Sequence, residues 1–392
     1  MSNVFCPLPW NHLFVRANQD VFPCCETNLV STKFDESIEK TANHPVFNKF
    51  RLDILNGSKL PPECHSCELK ELAGKQSLRL SSLQKHHTMN IEKAKAITKP
   101  DGSIRDFKLE RLDIRSSNLC NYKCRFCGII SSNSWLNDHK LLGNEVKKSY
   151  DEKTGITEFE LPWEDLRKHL PYVKEVKLAG GEPVMMSGTY QLLEELISIG
   201  NTDAQITLLT NASMVNYGNK NIIDYLKKFK KSIILLSVDG IGHAHEWLRS
   251  GKKDWLKVKQ VIKDYTSLAN YDSVRFHTGV SWMNMWHLEK FVREYPDHKF
   301  IFNPVAYPEI YSIARFPKEQ VNLAAEHYKK LYGKEGRYTW FLLYTLLHNM
   351  AKKDEGEFDR KEFVRVTNLL DNSRKQDFRK AFPEHAKVLL HG

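Results

Sequence analysis

Cys120, Cys124 and Cys127 stand in the segment LCNYKCRFC. Three thiolates at that spacing can hold three irons of a four-iron cluster and leave the fourth iron open to a reacting ligand. Structural zinc takes four closed ligands, and structural iron–sulfur clusters ordinarily have four cysteines, so a three-cysteine loop points first to catalysis. On spacing alone, zinc with a remote fourth ligand or a chance group of buried thiols stays open. The other five cysteines, Cys6, Cys24, Cys25, Cys64 and Cys67, all fall in the first 70 residues. In a reducing compartment such a set reads as metal ligands and not as disulfides. Cys64 and Cys67 form C-x-x-C in PPECHSCEL, a spacing that lets both thiolates face one metal, zinc or iron alike.

The elements that position these residues come next. The loop follows LERLDIR (109–115), whose alternating apolar and polar side chains predict a strand. Cysteines at the carboxyl end of a strand sit where α/β barrels carry their chemistry. Here the chain resembles the radical S-adenosylmethionine (SAM) superfamily, whose mark is C-x-x-x-C-x-x-C with an aromatic, Phe126, before the last cysteine. The resemblance implies that SAM chelates the open iron through its amino and carboxylate groups. It further implies that one electron from the reduced cluster cleaves the sulfonium, and that the 5′-deoxyadenosyl radical removes hydrogen from an unactivated C–H bond.

Supporting motifs follow in chain order. In KEVKLAGGEP, Gly180 and Gly181 let backbone carbonyls approach a ligand and Glu182 can take up an ammonium, which resembles the family's methionine-binding motif. QITLLTN ends on Thr210 and Asn211, and SIILLSVDG ends on Ser237 and Asp239; both read as buried parallel strands with polar tips. By the resemblance, Ser237 and Arg249, twelve residues apart, contact the ribose and the methionine carboxylate, and Phe126 and Asn211 join the SAM-binding set. Asp239 is expected to cap a turn with Gly240. With strands at VRFHTGVS and KFIFNPV, six β/α units follow from Leu109. The expected fold class is therefore α/β, a partial (β/α)6 TIM-type barrel over 107–305.

Before the barrel, CPLPWNHLFVRANQDVFPCC and HPVFNKFRLDILNGSKLPPECHSC resemble the first half of a SPASM or twitch module, which binds an auxiliary four-iron cluster and usually follows the barrel. RANQDV reads as a hairpin turn between two short strands. The resemblance implies Cys6, Cys24, Cys64 and Cys67 as ligands of one auxiliary cluster, since adjacent side chains diverge and Cys25 is then a buried spare. The expected domains are this module at 1–75, a helical linker at 76–106, the barrel at 107–305 and a helical region at 306–392. His86 and His87 in QKHHT read as a solvated helix face, and the polar insertion 144–160 as a hairpin. TWFLLYTLLHNMAKK reads as a buried packing helix. VTNLLDNSRKQDFRKAFPEH reads as one or two amphipathic helices, with LDxxR and FPE motifs that recur in some twitch-domain radical enzymes without a known role.

A chain of 392 residues with 41% hydrophobic content supports a full core. Mean hydropathy of −0.49 and the absence of a long apolar run argue against a membrane span. The first residues lack the basic and apolar regions of a signal peptide, so a cytoplasmic protein is expected. The net charge of +10 comes with no arginine-rich run or RNA motif, and nucleic acid is not the favoured partner. The expected cofactors are two [4Fe-4S] clusters and SAM, with a flavodoxin- or ferredoxin-type reductant. The expected reaction is hydrogen abstraction from a peptide or protein side chain. A radical dehydrogenase or mutase of a small hydroxylated metabolite is one alternative, and a zinc protein associated with nucleic acid is another.

Overall fold

The computed structural model describes residues 4–27, 30–72, 76–85, 89–250, 255–268, 273–353 and 355–385; His86 and His87 lie outside them. The chain divides into two compact units, one of residues 1–117, 157–207 and 225–231, the other of residues 118–156, 208–224 and 232–392.

The first unit contains β1 (His12–Arg16), β2 (Asp20–Phe22), β3 (Thr32–Lys33), β4 (Arg111–Arg115), β5 (Glu175–Leu178) and the first half of β6 (Gln205–Thr210), ordered β6–β5–β4–β1–β2–β3. β1, β4 and β5 are parallel neighbours, while β1, β2 and β3 pair antiparallel. The expected turn at RANQDV is present, with Gln19 at φ +66°. The first strand of the cysteine-rich segment also extends the parallel sheet, a pairing that its sequence did not disclose. Because side chains alternate across a strand, β4 and β5 bury Leu112, Ile114, Val176 and Leu178 on one face. Arg111, Asp113, Arg115, Glu175 and Lys177 fall on the other. Parallel strands are ordinarily apolar on both faces, so a charged face here is a departure. Buried Arg51, on the helix Pro45–Asn56, donates to the carbonyls of Pro9, Ala42 and Gly102 at 2.9–3.0 Å and ties three stretches of the amino-terminal segment together.

The second unit contains the rest of β6, a short hairpin of β7 (Asn216–Tyr217) and β8 (Lys220–Asn221), then β9 (Ser232–Leu236), β10 (Val274–Val280) and β11 (Lys299–Pro304). β9, β10 and β11 are parallel, and the helices Gly242–Arg249, Trp255–Thr266 and Leu288–Glu294 alternate with them. The six strands expected from Leu109 onward are thus β4, β5, β6, β9, β10 and β11, the first beginning at Arg111. The carboxyl-terminal region is helical: Lys318–Glu335, Tyr338–Ala351, Arg360–Arg374 and Phe378–Ala381. Its core gathers on fully buried Trp282, stacked on Phe316 at 4.7 Å and edge-on to Phe363 at 4.8 Å.

The insertion 144–160 forms no hairpin. The Asp151 carboxylate accepts from the amides of Lys153 and Thr154 and from the Thr154 hydroxyl at 2.7–3.1 Å, and this local turn displaces strand pairing. No helix among the described residues is long and apolar enough to cross a membrane.

Candidate cluster and cofactor site

The segment 118–135 is irregular, so its backbone groups need partners other than a ladder. Polar side chains supply them. Buried Asn118 donates to the carbonyls of Ile129 and Gly155 at 2.7 and 2.9 Å. Asn133 accepts from the Cys120 amide at 2.9 Å, and Ser134 donates to the Cys120 carbonyl at 2.7 Å. Ser132 holds the Tyr122 carbonyl, and the Trp135 indole donates to the Cys124 carbonyl at 3.0 Å. Cys120, Cys124 and Tyr122 form one buried group, with Cys127 packed against it.

Hydrogen-bond donors reach the sulfurs. The Tyr122 amide and Asn211 Nδ2 lie 3.5 and 3.7 Å from Cys120 Sγ, and Arg249 Nη1 lies 3.8 Å from Cys124 Sγ. Burial raises the thiol of Cys124, and burial together with the Cys124 sulfur pushes Cys127 up to about 12. Thiols so placed stay protonated unless a positive centre joins them. A four-iron core supplies that charge, and the donor set therefore fits one.

Arg249 is not a solvated helix residue. Its side chain is 14% exposed, and its Nε lies 2.6 Å from Asp239 Oδ2. Burial alone would lower the guanidinium's pKa; Asp239 and Cys124 more than reverse this and raise it. Asp239 does not cap a turn with Gly240, contrary to expectation. Its other oxygen accepts from the Gly279 amide at 2.7 Å, so the carboxylate links the end of β10 to Arg249. Phe126 meets Tyr311 edge-on at 5.9 Å, and a Cβ at Gly279 would stand 3.2 Å from its ring. The Ser237 amide donates to the Thr210 carbonyl at 2.8 Å.

Gly180 and Gly181 belong to the other unit. Gly180 has φ +117°, and a Cβ there would lie 2.8 Å from the Ser117 carbonyl oxygen, so this position takes glycine. The Gly181 amide donates to the same carbonyl at 3.0 Å. Glu182 is fully buried, and its Oε1 accepts from the Val184 amide at 3.2 Å.

The amino-terminal cysteines share the first unit. Cys64 ends the 3-10 turn Pro62–Cys64, and Cys67 lies in the helix His65–Leu72 that follows at once, which puts the two on one face. Burial pushes Cys6 up to about 12, with Cys67 adding to the rise, and pushes Cys64 up to about 12, with Cys6 and Cys67 adding. Cys24 is raised by burial and then by Cys6. Cys25 has different neighbours: Lys177, Asp113, Glu26 and Arg115 act on it, after burial. Burial outweighs the nearby Arg79 and Arg111 and holds Cys6 and Cys64 up, and buried thiols acting on one another in this way again suit a cluster. Among the described residues no three His, Cys, Asp or Glu side chains converge as ligands of a single ion do.

Sequence reasoning missed the ties behind the loop. Arg125, fully buried between Cys124 and Phe126, pairs with Asp371, donates to Gln376 at 3.0 Å and lies 4.0 Å over the Trp247 ring. Asp371 also accepts from the Trp247 indole and the Phe378 amide, both at 2.8 Å. Asp138, fully buried, takes Lys123 at 2.9 Å and Arg374 at 3.2 Å. The only signal in the sequence was the LDNSR motif itself.

Residues 114–295 match the model of the radical SAM superfamily, and residues 6–68 match the SPASM iron–sulfur cluster-binding domain. Over 169 residues the chain is 29% identical to a 7,8-dihydro-6-hydroxymethylpterin dimethyltransferase of Methanocaldococcus jannaschii, which is 42% of this chain and 29% of that protein. The chain thus spans less than a third of that relative. Among solved structures, anSMEcpe with bound AdoMet and Cp18Cys peptide is similar at 15% identity and TM-score 0.41, covering 58% of this chain and 60% of that one. Streptococcus suis SuiB bound to precursor peptide SuiA is similar at 16% identity and TM-score 0.37, covering 95% and 73%. The chain carries a radical SAM domain and, before it, a SPASM iron–sulfur cluster-binding domain, and the cofactors of these domains are iron–sulfur clusters and SAM.

Proposed function

We propose that this enzyme abstracts hydrogen from a C–H bond on a peptide or protein side chain, in a maturase-type modification. The observation that carries the radical chemistry is the buried group of Cys120, Cys124 and Cys127, with donors aimed at its sulfurs. With a reduced cluster and SAM bound, the site supplies a 5′-deoxyadenosyl radical. The chain's own residues do the rest. Cys120, Cys124 and Cys127 hold the SAM-binding [4Fe-4S] cluster. Asn211 and Arg249 orient toward its sulfurs, and Asp239 fixes the Arg249 guanidinium. The residues proposed to contact SAM are Phe126, Asn211, Ser237 and Arg249 of one unit and, from the sequence motif, Gly180, Gly181 and Glu182 of the other. Cys6, Cys24, Cys64 and Cys67 hold the auxiliary [4Fe-4S] cluster, which can accept the second electron when a substrate radical is oxidised. A flavodoxin or ferredoxin serves as reductant, in the cytoplasm.

The peptide reading is supported by the SPASM domain and by the likeness to proteins solved with peptides bound. The likeness to a pterin methyltransferase favours a second reading, a small polar metabolite as substrate. Comparing peptides and metabolites from cells making the wild-type chain with those from cells making Cys120→Ala separates the two. A mass change confined to one peptide supports the first reading, and a change confined to a metabolite supports the second.

A further inference from the structure

Two helices of the second unit end on a left-handed residue that is not glycine: Ser250, φ +45°, after Gly242–Arg249, and Lys375, φ +54°, after Arg360–Arg374. Non-glycine residues persist in that region where their surroundings hold them, and such positions gather at functional sites. Here the two ends hold each other. The last carbonyls of a helix have no partner within it, and those before Arg249 are taken one by one. The Glu246 carbonyl accepts from the Ser250 amide at 2.9 Å and from Gln376 Nε2 at 2.8 Å. The Trp247 carbonyl accepts from the Ser250 hydroxyl at 3.0 Å, and the Leu248 carbonyl from the Arg125 amide at 2.7 Å. The Ser250 hydroxyl in turn accepts from Arg374 Nη1 at 2.7 Å.

Gln376 is where these ties converge. Its Oε1 accepts from Arg125 Nη2 at 3.0 Å while its Nε2 holds the Glu246 carbonyl, so one planar amide joins the cluster loop to the helix that carries Arg249. Its backbone amide donates to the Asp371 carbonyl at 2.9 Å, which fixes the turn that presents the side chain. The connection closes on itself, because Arg125 follows Cys124 and Arg249 Nη1 lies 3.8 Å from Cys124 Sγ. A nitrogen at that distance from sulfur is held weakly by the contact itself, so its place is set by what fixes the two ends. Asp239 fixes the guanidinium, with Nε at 2.6 Å, and Gln376 fixes the helix against the loop.

We propose that Gln376 is a positioning residue for SAM cleavage: it acts through Arg249, holding the guanidinium against the Cys124 sulfur and so raising the reduction potential of the cluster bound there. A cation beside a cluster favours its reduced, more negative form. That this cluster serves SAM cleavage rests on the radical reading; the coupling of Gln376 to Arg249 does not.

The test is a redox titration of the full-length reconstituted protein without SAM, read by electron paramagnetic resonance. The signal of interest is the one that Cys120→Ala removes. Gln376→Leu and Arg249→Gln are each expected to shift its midpoint to more negative potential with iron content unchanged. The double variant is expected to shift it no further than Arg249→Gln alone, as residues that act as one unit do. With SAM added, each single variant is expected to release 5′-deoxyadenosine about tenfold more slowly, again with no further loss in the double. Leu343→Ala, at a fully buried position of the helix Tyr338–Ala351, is expected to lower the thermal midpoint and leave the potential unchanged. If Gln376→Leu holds no iron, Ser250→Ala, which removes the hydroxyl from the same junction, decides by the same cycle. A wild-type midpoint in folded Gln376→Leu, a double-variant shift equal to the sum of the two, or an equal shift in Leu343→Ala overturns the proposal. Because the midpoint is read without SAM, a chain that shows the coupling and cleaves no SAM refutes the radical reading alone, and the two failures are distinguishable.

Discussion

Sulfur accepts hydrogen bonds weakly, so the donors aimed at Cys120 and Cys124 matter for the charge they offset more than for the bonds themselves. Arg249 is the strongest of them, and it is held by Asp239. Arg249→Lys removes the planar fork that reaches the carboxylate and the sulfur together, and is expected to slow SAM cleavage more than tenfold with little loss of iron. The amino-terminal cysteines give a sharper prediction. Cys24→Ala is expected to lower iron from about eight to about four per chain, while Cys25→Ala keeps about eight, by iron assay after reconstitution. The cysteine motifs were legible because ligand spacing is local. The choice between Cys24 and Cys25 was not, since it depends on which thiol Cys6 meets and which meets Lys177. The role of Asp239 was hidden for the same reason: its partner Gly279 is 40 residues away.

The six strands from Leu109 onward were readable from their own patterns, and the strand-ending turn at Gly180 from its glycine. Gly180→Ala meets the Ser117 carbonyl and a φ of +117°, and is expected to lower stability by about 2 kcal/mol or more, read as a fall in thermal midpoint. What the sequence left dark was how separate elements brace one another. The helix Arg360–Arg374 reaches the cluster loop through Asp371 and Arg125, residues 246 apart in the chain. Asp371→Ala leaves a fully buried guanidinium without its counter-ion, a change that costs about 3–5 kcal/mol. The expected outcome is a lowered thermal midpoint and poor retention of the cluster at Cys120, Cys124 and Cys127. Asp371→Asn, which keeps an acceptor for the Trp247 indole, is expected to lose less. The amphipathic pattern of that region announced helices but carried no trace of this pairing, because a buried salt bridge has no periodicity.

For the molecule as a whole, acid stability follows from two buried histidines. Burial, then Arg111, lowers His12 to about 4; burial, then Arg249, lowers His245 to about 3. Both are neutral when folded, whereas unfolded histidine titrates near pH 6.5. Their contribution is complete above pH 6.5 and declines as pH falls toward 4, by about 1.4 kcal/mol per pH unit for each. Thermal midpoints measured from pH 7 to pH 4.5 are expected to fall, and His12→Gln is expected to flatten the slope. The central claim is tested most directly by SAM cleavage. Reconstituted under anaerobic conditions and given dithionite and SAM, the wild-type chain is expected to release 5′-deoxyadenosine and Cys120→Ala none. A protein holding its full iron that releases no 5′-deoxyadenosine, or one that takes up zinc in place of iron, would contradict the account.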